Sequence, residues 1–201
     1  MCLTPNLLDN GIEVGCRQCW QCRKRKVDDL VGRCIAESKF ATKTIAATLT
    51  YDNSNGARSV TLVYKDVQSF LKNLRKKYKC RFLVVGEHGS FKNRAHWHIA
   101  LFFTGKYPNV KNETRINWQY WTKGFTYFQE PHYEGFRYIL KYILKEPESN
   151  RHKHLSMSLK PALGDEYFNR LVDKYVESGI EPKSWKYRFP EIKDRNGKIR
   201  K

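Results

Sequence analysis

The run Ala95-His96-Trp97-His98-Ile99-Ala100-Leu101-Phe102-Phe103 places two histidines two residues apart at the head of an apolar, strand-like stretch. Successive side chains of a strand alternate between faces, so His96 and His98 share one face and Trp97 turns to the other. Two imidazoles side by side on a rigid strand can ligate a divalent metal; taken alone, a His-x-His pair is also compatible with a half-wet strand that binds nothing. Glu87 closes the preceding apolar run, Arg81 to Glu87. If a hairpin joins the two runs, Glu87 faces His96 with Cβ atoms about 5 Å apart. The three side chains then form a two-imidazole, one-carboxylate set. Mixed nitrogen and oxygen ligands with open positions suit Mn²⁺ or Mg²⁺ in a phosphate-handling enzyme, with Zn²⁺ and Fe²⁺ as alternatives. The bland alternative for Glu87 is a surface carboxylate at a strand end. His88 is one residue out of register and is expected to point away.

A second constellation lies in Gly135-Phe136-Arg137-Tyr138-Ile139-Leu140-Lys141-Tyr142-Ile143-Leu144-Lys145. Tyr138 and Tyr142 are four apart, hence on one helix face, and Lys141 and Lys145 repeat the spacing one step round. Ile139, Leu140, Ile143 and Leu144 complete an apolar side that can pack on a sheet. A phenol has a pKa near 10 and is a poor nucleophile at neutral pH unless positive charge activates it and a metal polarises the phosphate it attacks. The lysines could lower a phenol's pKa, neutralise a phosphate, or form a solvated basic edge. The alternative for the tyrosines is an ordinary core-edge pair.

Cys16, Cys19 and Cys22, with Cys2 as a fourth, lie too close together for a secreted disulfide framework and point to metal or redox chemistry in a reducing compartment. Structural Zn²⁺ is the expected occupant; an iron–sulfur centre and reduced free thiols are the alternatives. Arg17 and the run Arg23, Lys24, Arg25, Lys26 surround these cysteines and could depress thiol pKa values or contact DNA phosphates. Lys72 to Arg81 carries six basic residues, a solvated helix face or a further phosphate contact. Trp118, Tyr120 and Trp121 could stack on bases but are first expected in the core. His132, His152 and His154 have no spacing partner.

The elements that must position these groups follow from periodicity. Val27, Leu30, Val31, Cys34 and Ile35 define one apolar helix face, which makes Cys34 a core residue. Strands are expected over Thr44–Tyr51, Arg81–Glu87, Ala95–Phe103 and Gly124–Gln129, with a turn at Asn53–Gly56. Helices are expected over Leu62–Tyr78, from Pro131 to about Lys145, and over Asp165–Ser178. Residues 1–16 read as an irregular lead-in, and Lys183–Lys201 as a basic arm. The order predicts an α+β fold, an antiparallel sheet with helices packed on it, most simply on one face. Three segments result: 1–40, the Cys-rich lead-in and helix; 41–146, the core; and 147–201, an extension with a basic tail.

At 201 residues with 40% hydrophobic content the chain can build a real core, and its net charge of +18 with 14% aromatics favours a nucleic-acid partner. No apolar run approaches a membrane span, and Met1 to Gly15 lacks a signal-peptide pattern, so a cytosolic protein is expected.

Two of these stretches, HWHIALFF (96–103) with GEHG (86–89) upstream and YILKYILK (138–145) downstream, resemble the motifs of the HUH endonuclease superfamily, and within it the rolling-circle replication initiators of microviruses, gokushovirus-like members especially. TIAATLTYD (44–52) resembles the family's first motif, a core strand. CRQCWQCRKRK (16–26), followed by Glu37-Ser38, resembles its Cys-rich opening. SLKPALG (158–164) resembles a Ser-x-x-Pro-Gly-Ile-Gly segment, with Ala162 and Leu163 departing from it. The resemblance implies a ferredoxin-like core related to RNA-recognition domains, with His96, His98 and Glu87 as metal ligands. Tyr138 and Tyr142 become paired nucleophiles, and Lys141 and Lys145 the interleaved lysines. It implies metal-dependent nicking of single-stranded origin DNA through a 5′-phosphotyrosyl link, extension of the free 3′-OH by a host polymerase, and rejoining without ATP. No G-x-x-x-x-G-K-[S/T] loop is present, so unwinding would fall to a host helicase. The expected location is the cytoplasm of a bacterial host. The competing readings are a non-enzymatic basic nucleic-acid-binding module and an HUH transposase or relaxase.

Overall fold

Consecutive apolar residues in Arg81–Val85 and Ile99–Phe103 give a strand two faces to bury, the pattern of strands at the middle of a covered sheet. The computed structural model describes residues 2–89, 93–129, 133–144, 154–182 and 187–189. It opens with a small hairpin, β1 (Asn6–Leu7) and β2 (Glu13–Val14). There follow α1 (Trp20–Ser38), β3 (Lys43–Tyr51), a 3₁₀ segment (Asn53–Val60), α2 (Tyr64–Arg75), β4 (Cys80–His88) and β5 (Ala95–Phe103). Beyond them lie β6 (Arg115–Ile116), β7 (Gly124–Gln129), α3 (Tyr133–Leu144), β8 (His154–Met157) and α4 (Asp165–Glu177). The main sheet has the order β6-β7-β3-β5-β4-β8 with every pair antiparallel. The fold is α+β, as the periodicity predicts.

The helices cover both faces of this sheet, not one. Val67, Phe70, Leu71 and Leu74 of α2 pack with Leu49, Val84, Trp97, Ile99 and Leu101. On the other face, Val27, Leu30, Val31, Cys34 and Ile35 of α1 join Phe136, Ile139 and Leu140 of α3 against Leu83, Val85, Ala100 and Phe102. The physical reason is in the sequence: both the odd and the even positions of β4 and β5 are apolar, so leaving either face bare would expose a large hydrophobic surface. Cys34 is buried in this second layer.

Elements of all three sequence segments enter this core: α1 packs on α3, and β8 pairs with β4 through Leu83↔Met157 to Gly86↔His154. β1, β2, β6 and β8 form where periodicity predicts irregular chain, because two to four residues are too few to show an alternating pattern. The helix expected over Leu62–Tyr78 is shorter at both ends.

The 158–164 segment locks the outer elements together. Glu37 at the end of α1 accepts from Gly164 N–H at 2.8 Å and pairs with Arg81 at 3.3 Å, and Arg81 also donates to the Pro161 carbonyl. Gly164 has φ 82, and a Cβ there would meet Ala36 Cβ at 2.8 Å, so only glycine fits. Leu163, one of the two departures from the resembled segment, is buried beside it.

Candidate active site

The register of β5 between its neighbours sets the site. Glu87 of β4 stands directly opposite His96, and Val85 opposite His98; on the other side Thr50 pairs with His96 and Thr48 with His98. Because these positions are two apart on their strands, all of these side chains fall on the face covered by α1 and α3. Trp97 turns to the α2 side, where it is fully buried and its indole N–H donates to the Tyr51 hydroxyl at 3.2 Å. Tyr51 in turn donates to Asp66 of α2 at 3.1 Å. His88 also lies away from the site, with Nε2 against the Val60 carbonyl at 3.0 Å.

Each imidazole is held at Nδ1 by a threonine hydroxyl: Thr48 to His98 and Thr50 to His96, both at 3.0 Å. A hydroxyl can donate or accept, so it supports either tautomer, including the one that presents a bare Nε2 to an ion. His98 Nε2 lies 2.8 Å from Glu87 Oε1, and the pair is nearly buried, at 4% and 12% side-chain exposure. Burial first, then the neighbouring His98, lower the His96 pKa to about 4 against the opposing pull of Glu87, so that ring is neutral at physiological pH. At Gly89 an added Cβ would come within 3.0 Å of His96 Nε2; the missing side chain keeps that nitrogen accessible. Two neutral imidazoles anchored through Nδ1, an open Nε2 and an adjoining carboxylate fit a divalent cation. The three donor groups do not converge as tightly as the cysteines described below. Thr48, Thr50 and Gly89 are the members of the site that sequence periodicity does not single out. TLTY alternates in β3, yet its partner strand is set by a pairing some fifty residues distant.

The helix α3 crosses this face. Tyr138 sits edge-on to His98, ring centroids 5.8 Å apart at 87°, and its side chain is 38% exposed. Buried Phe136, Ile139 and Leu140 hold the helix down, and Arg137 pairs with Asp28 of α1 at 2.8 Å. Tyr142 and Lys141 lie on the same helix, one turn and three residues further on. Their side chains, with Lys145, His132, His152 and most of the basic arm, lie outside the described residues.

Away from this site, the sulfurs of Cys2, Cys16, Cys19 and Cys22 all lie within 4.8 Å of one another, the one such group among the described residues. A hydrogen bond with Thr4, then backbone amides at Cys19 and Gln18, lower the Cys16 pKa to about 5. At Cys22 the amide of Arg17 acts downward, but burial and the neighbouring thiols push the value up to about 11. Lys24, Arg25 and Lys26 are exposed in the first turns of α1, with Arg23 half-buried. In the Lys72–Arg81 cluster, Arg75 is committed to the Cys80 carbonyl at 3.0 Å and Arg81 to Glu37. Trp118 and Trp121 are core residues on the α2 side, and Trp121 N–H donates to the Thr50 carbonyl at 3.1 Å. His154 stacks on Tyr64 at 4.1 Å, on the face opposite the site.

A family model described as replication-associated protein, ORF2 type, matches residues 44–147, a span that takes in β3 through α3 and so all the residues around His96 and Tyr138. Replication-associated protein ORF4 of Chlamydia phage 1 is 25% identical over 204 aligned positions, covering 87% of this chain and 51% of its own length. Replication-associated protein VP4 of Bdellovibrio phage phiMH2K is 26% identical over 188 positions, covering 81% of this chain and 58% of its own. The chain thus spans about half the length of the curated relatives it matches. No solved structure matches. Among the described residues no helix is long and apolar enough to cross a membrane.

Proposed function

Because the chain belongs to the ORF2-type family of replication-associated proteins, we propose that it nicks and rejoins single-stranded DNA at the replication origin of a small circular phage genome. The observation that carries this reading is the edge-on approach of Tyr138 to His98, which brings a nucleophile to the face where imidazoles and a carboxylate gather. Glu87, His96 and His98 would hold Mg²⁺ or Mn²⁺, which when bound supplies Lewis-acid polarisation of the scissile phosphate. Thr48 and Thr50 orient the two rings. The Tyr138 phenol oxygen attacks phosphorus, a new O–P bond forms, and the P–O3′ bond breaks to leave a 3′-OH and a 5′-phosphotyrosyl link. The link retains the energy of the phosphodiester, so attack by a 3′-OH reverses the step without ATP. Tyr142 serves as the second nucleophile, and Lys141 and Lys145 neutralise phosphate charge. Host polymerase and helicase complete the cycle, in the cytoplasm of the bacterial host.

Two observations rank the alternatives. An RNA-recognition module stacks bases on aromatic side chains of an open sheet face, whereas Trp97, Phe102 and Phe103 here are buried under helices. The matched relatives are named for replication, which places replication ahead of transposition or conjugative relaxation.

The test is incubation with single-stranded origin DNA and Mn²⁺ or Mg²⁺, followed by denaturing electrophoresis. A protein–DNA adduct that survives denaturation is expected. Its loss in the doubly substituted Tyr138→Phe, Tyr142→Phe protein, and a reduced rate in His96→Ala, would follow. No adduct with any origin-like strand defeats the nuclease reading; an adduct undiminished in the double variant defeats the choice of nucleophiles.

A further inference from the structure

The first eighteen residues have little to hold them in place. None of the described side chains from Cys2 to Gln18 is fully buried, and the apolar ones face water, with Leu3 60%, Leu7 71%, Leu8 45% and Ile12 56% exposed. The hairpin β1–β2 has two residues per strand, far short of what is stable by itself in water. Such a segment needs a staple: a disulfide, a metal or a partner.

The cysteines offer one. Sulfurs at the corners of a tetrahedron around Zn²⁺, with Zn–S near 2.3 Å, stand about 3.8 Å apart, and Cys2 Sγ and Cys19 Sγ are 3.8 Å apart. A disulfide needs about 2.05 Å, and all four thiols are free. The remaining sulfurs complete a group in which every pair lies within 4.8 Å, the scale of one ion. A four-iron cluster, which seats each thiolate on a separate iron, spreads its ligands wider. Backbone amides add to the fit: Cys16 N–H donates to Cys2 Sγ and Cys19 N–H to Cys16 Sγ, both at 3.3 Å, and Cys22 N–H to Cys19 Sγ at 3.5 Å. At Gly15 an added Cβ would come within 3.2 Å of Cys22 Sγ, so the approach to Cys16 is pressed onto the fourth ligand. Four sulfur ligands leave no open position, the mark of a structural site as against a catalytic one.

We propose that Cys2, Cys16, Cys19 and Cys22 form a tetrathiolate zinc site that pins residues 2–19 to the N-terminal end of α1. Each thiol still protonated loses its proton to solvent as its Zn–S bond forms. The site fixes the start of the helix that carries Arg23 to Lys26 and braces α3 through the Asp28–Arg137 pair. It stands independently of the nicking reading.

Metal analysis of the purified full chain, prepared under reducing conditions, should find about one zinc per chain. Exchange into Co²⁺ should give the visible bands and thiolate charge-transfer absorption of a tetrahedral sulfur site. Trypsin cleavage after the exposed Arg17 should accelerate at least about tenfold on chelation, since metal binding is what orders such a segment. Cys16→Ser and Cys19→Ser should each lose the metal, while Cys34→Ala, altered in the core, should keep it. If a serine variant does not fold, chelation and Co²⁺ exchange of the unaltered chain decide the matter. No bound metal after zinc incubation, iron in place of zinc, paired disulfides in the reduced preparation, or full zinc retention in Cys16→Ser would each overturn the proposal.

Discussion

Replacing Thr48 with valine removes one hydroxyl and little else. Valine keeps the branched shape and the strand preference of threonine, so β3 should pair as before. What changes is the partner of His98 Nδ1, now met by Thr48 Oγ1 at 3.0 Å in a place where the ring is 4% exposed. A buried N–H deprived of its acceptor costs about 1–3 kcal/mol. The imidazole can avoid this by carrying its proton on Nε2, where Glu87 accepts it at 2.8 Å, but that is the tautomer unable to ligate through Nε2. Loss of such an outer partner typically lowers metal affinity about 10- to 100-fold, equivalent to roughly 1.4–2.7 kcal/mol. Thr50→Val should act in the same way on His96. The assay is Mn²⁺ binding followed by the loss of free-ion electron paramagnetic resonance signal, run beside adduct yield as a function of Mn²⁺. The midpoint should move up by that factor in both measurements, and Thr48→Ser should restore it. A valine variant within twofold of the unaltered protein, or a serine variant as impaired as valine, would falsify the orienting role.

Three further outcomes are expected. Gly89→Ala brings a methyl within 3.0 Å of His96 Nε2, so Mn²⁺ affinity should fall several-fold while the urea midpoint stays put; an unchanged binding curve would show that the ring has room to yield. His96 is held neutral with a pKa of about 4, below the ordinary 6.5 of the unfolded chain. Its contribution to stability is therefore complete above about pH 6.5 and is lost as pH falls toward 4. A decline on the order of 1–2 kcal/mol is expected after discounting for the partly exposed ring, and urea titrations at pH 7 and 4.5 should show a shallower decline in His96→Gln, an equal one refuting the assignment. Gly164→Ala forces a Cβ at φ 82 to 2.8 Å from Ala36 Cβ and should destabilise the fold by about 2 kcal/mol or more, read from the same denaturation; a neutral result would mean that the 158–164 segment is not anchored to α1.

How far the site could be read from the sequence depends on how local each relation is. The shared face of His96 and His98 follows from a period of two, and the facing of Glu87 and His96 from a short hairpin. The single stripe that places Val27 to Ile35 in the core follows from helical spacing. The threonines escape such reading because β3 reaches β5 across α2 and β4, and no local pattern sets that register. The second covered face was legible in principle from the unbroken apolar runs of β4 and β5, but alternation is the stronger habit of reading and conceals it. Strands as short as β6 and β8 carry no period at all; their pairing partners create them.

The pairing of β5 between β3 and β4 has a consequence for how such a chain can change over generations. Gain or loss of one residue between Thr48 and Thr50, or between His96 and His98, would rotate everything beyond it to the wrong side and bring Trp97 where an imidazole belongs. Length variation should therefore be confined to the connections, such as residues 104–114. Within β3, β4 and β5 it should come in even steps. Parity, more than residue identity, is the inheritance that divergent relatives must share to keep this chemistry.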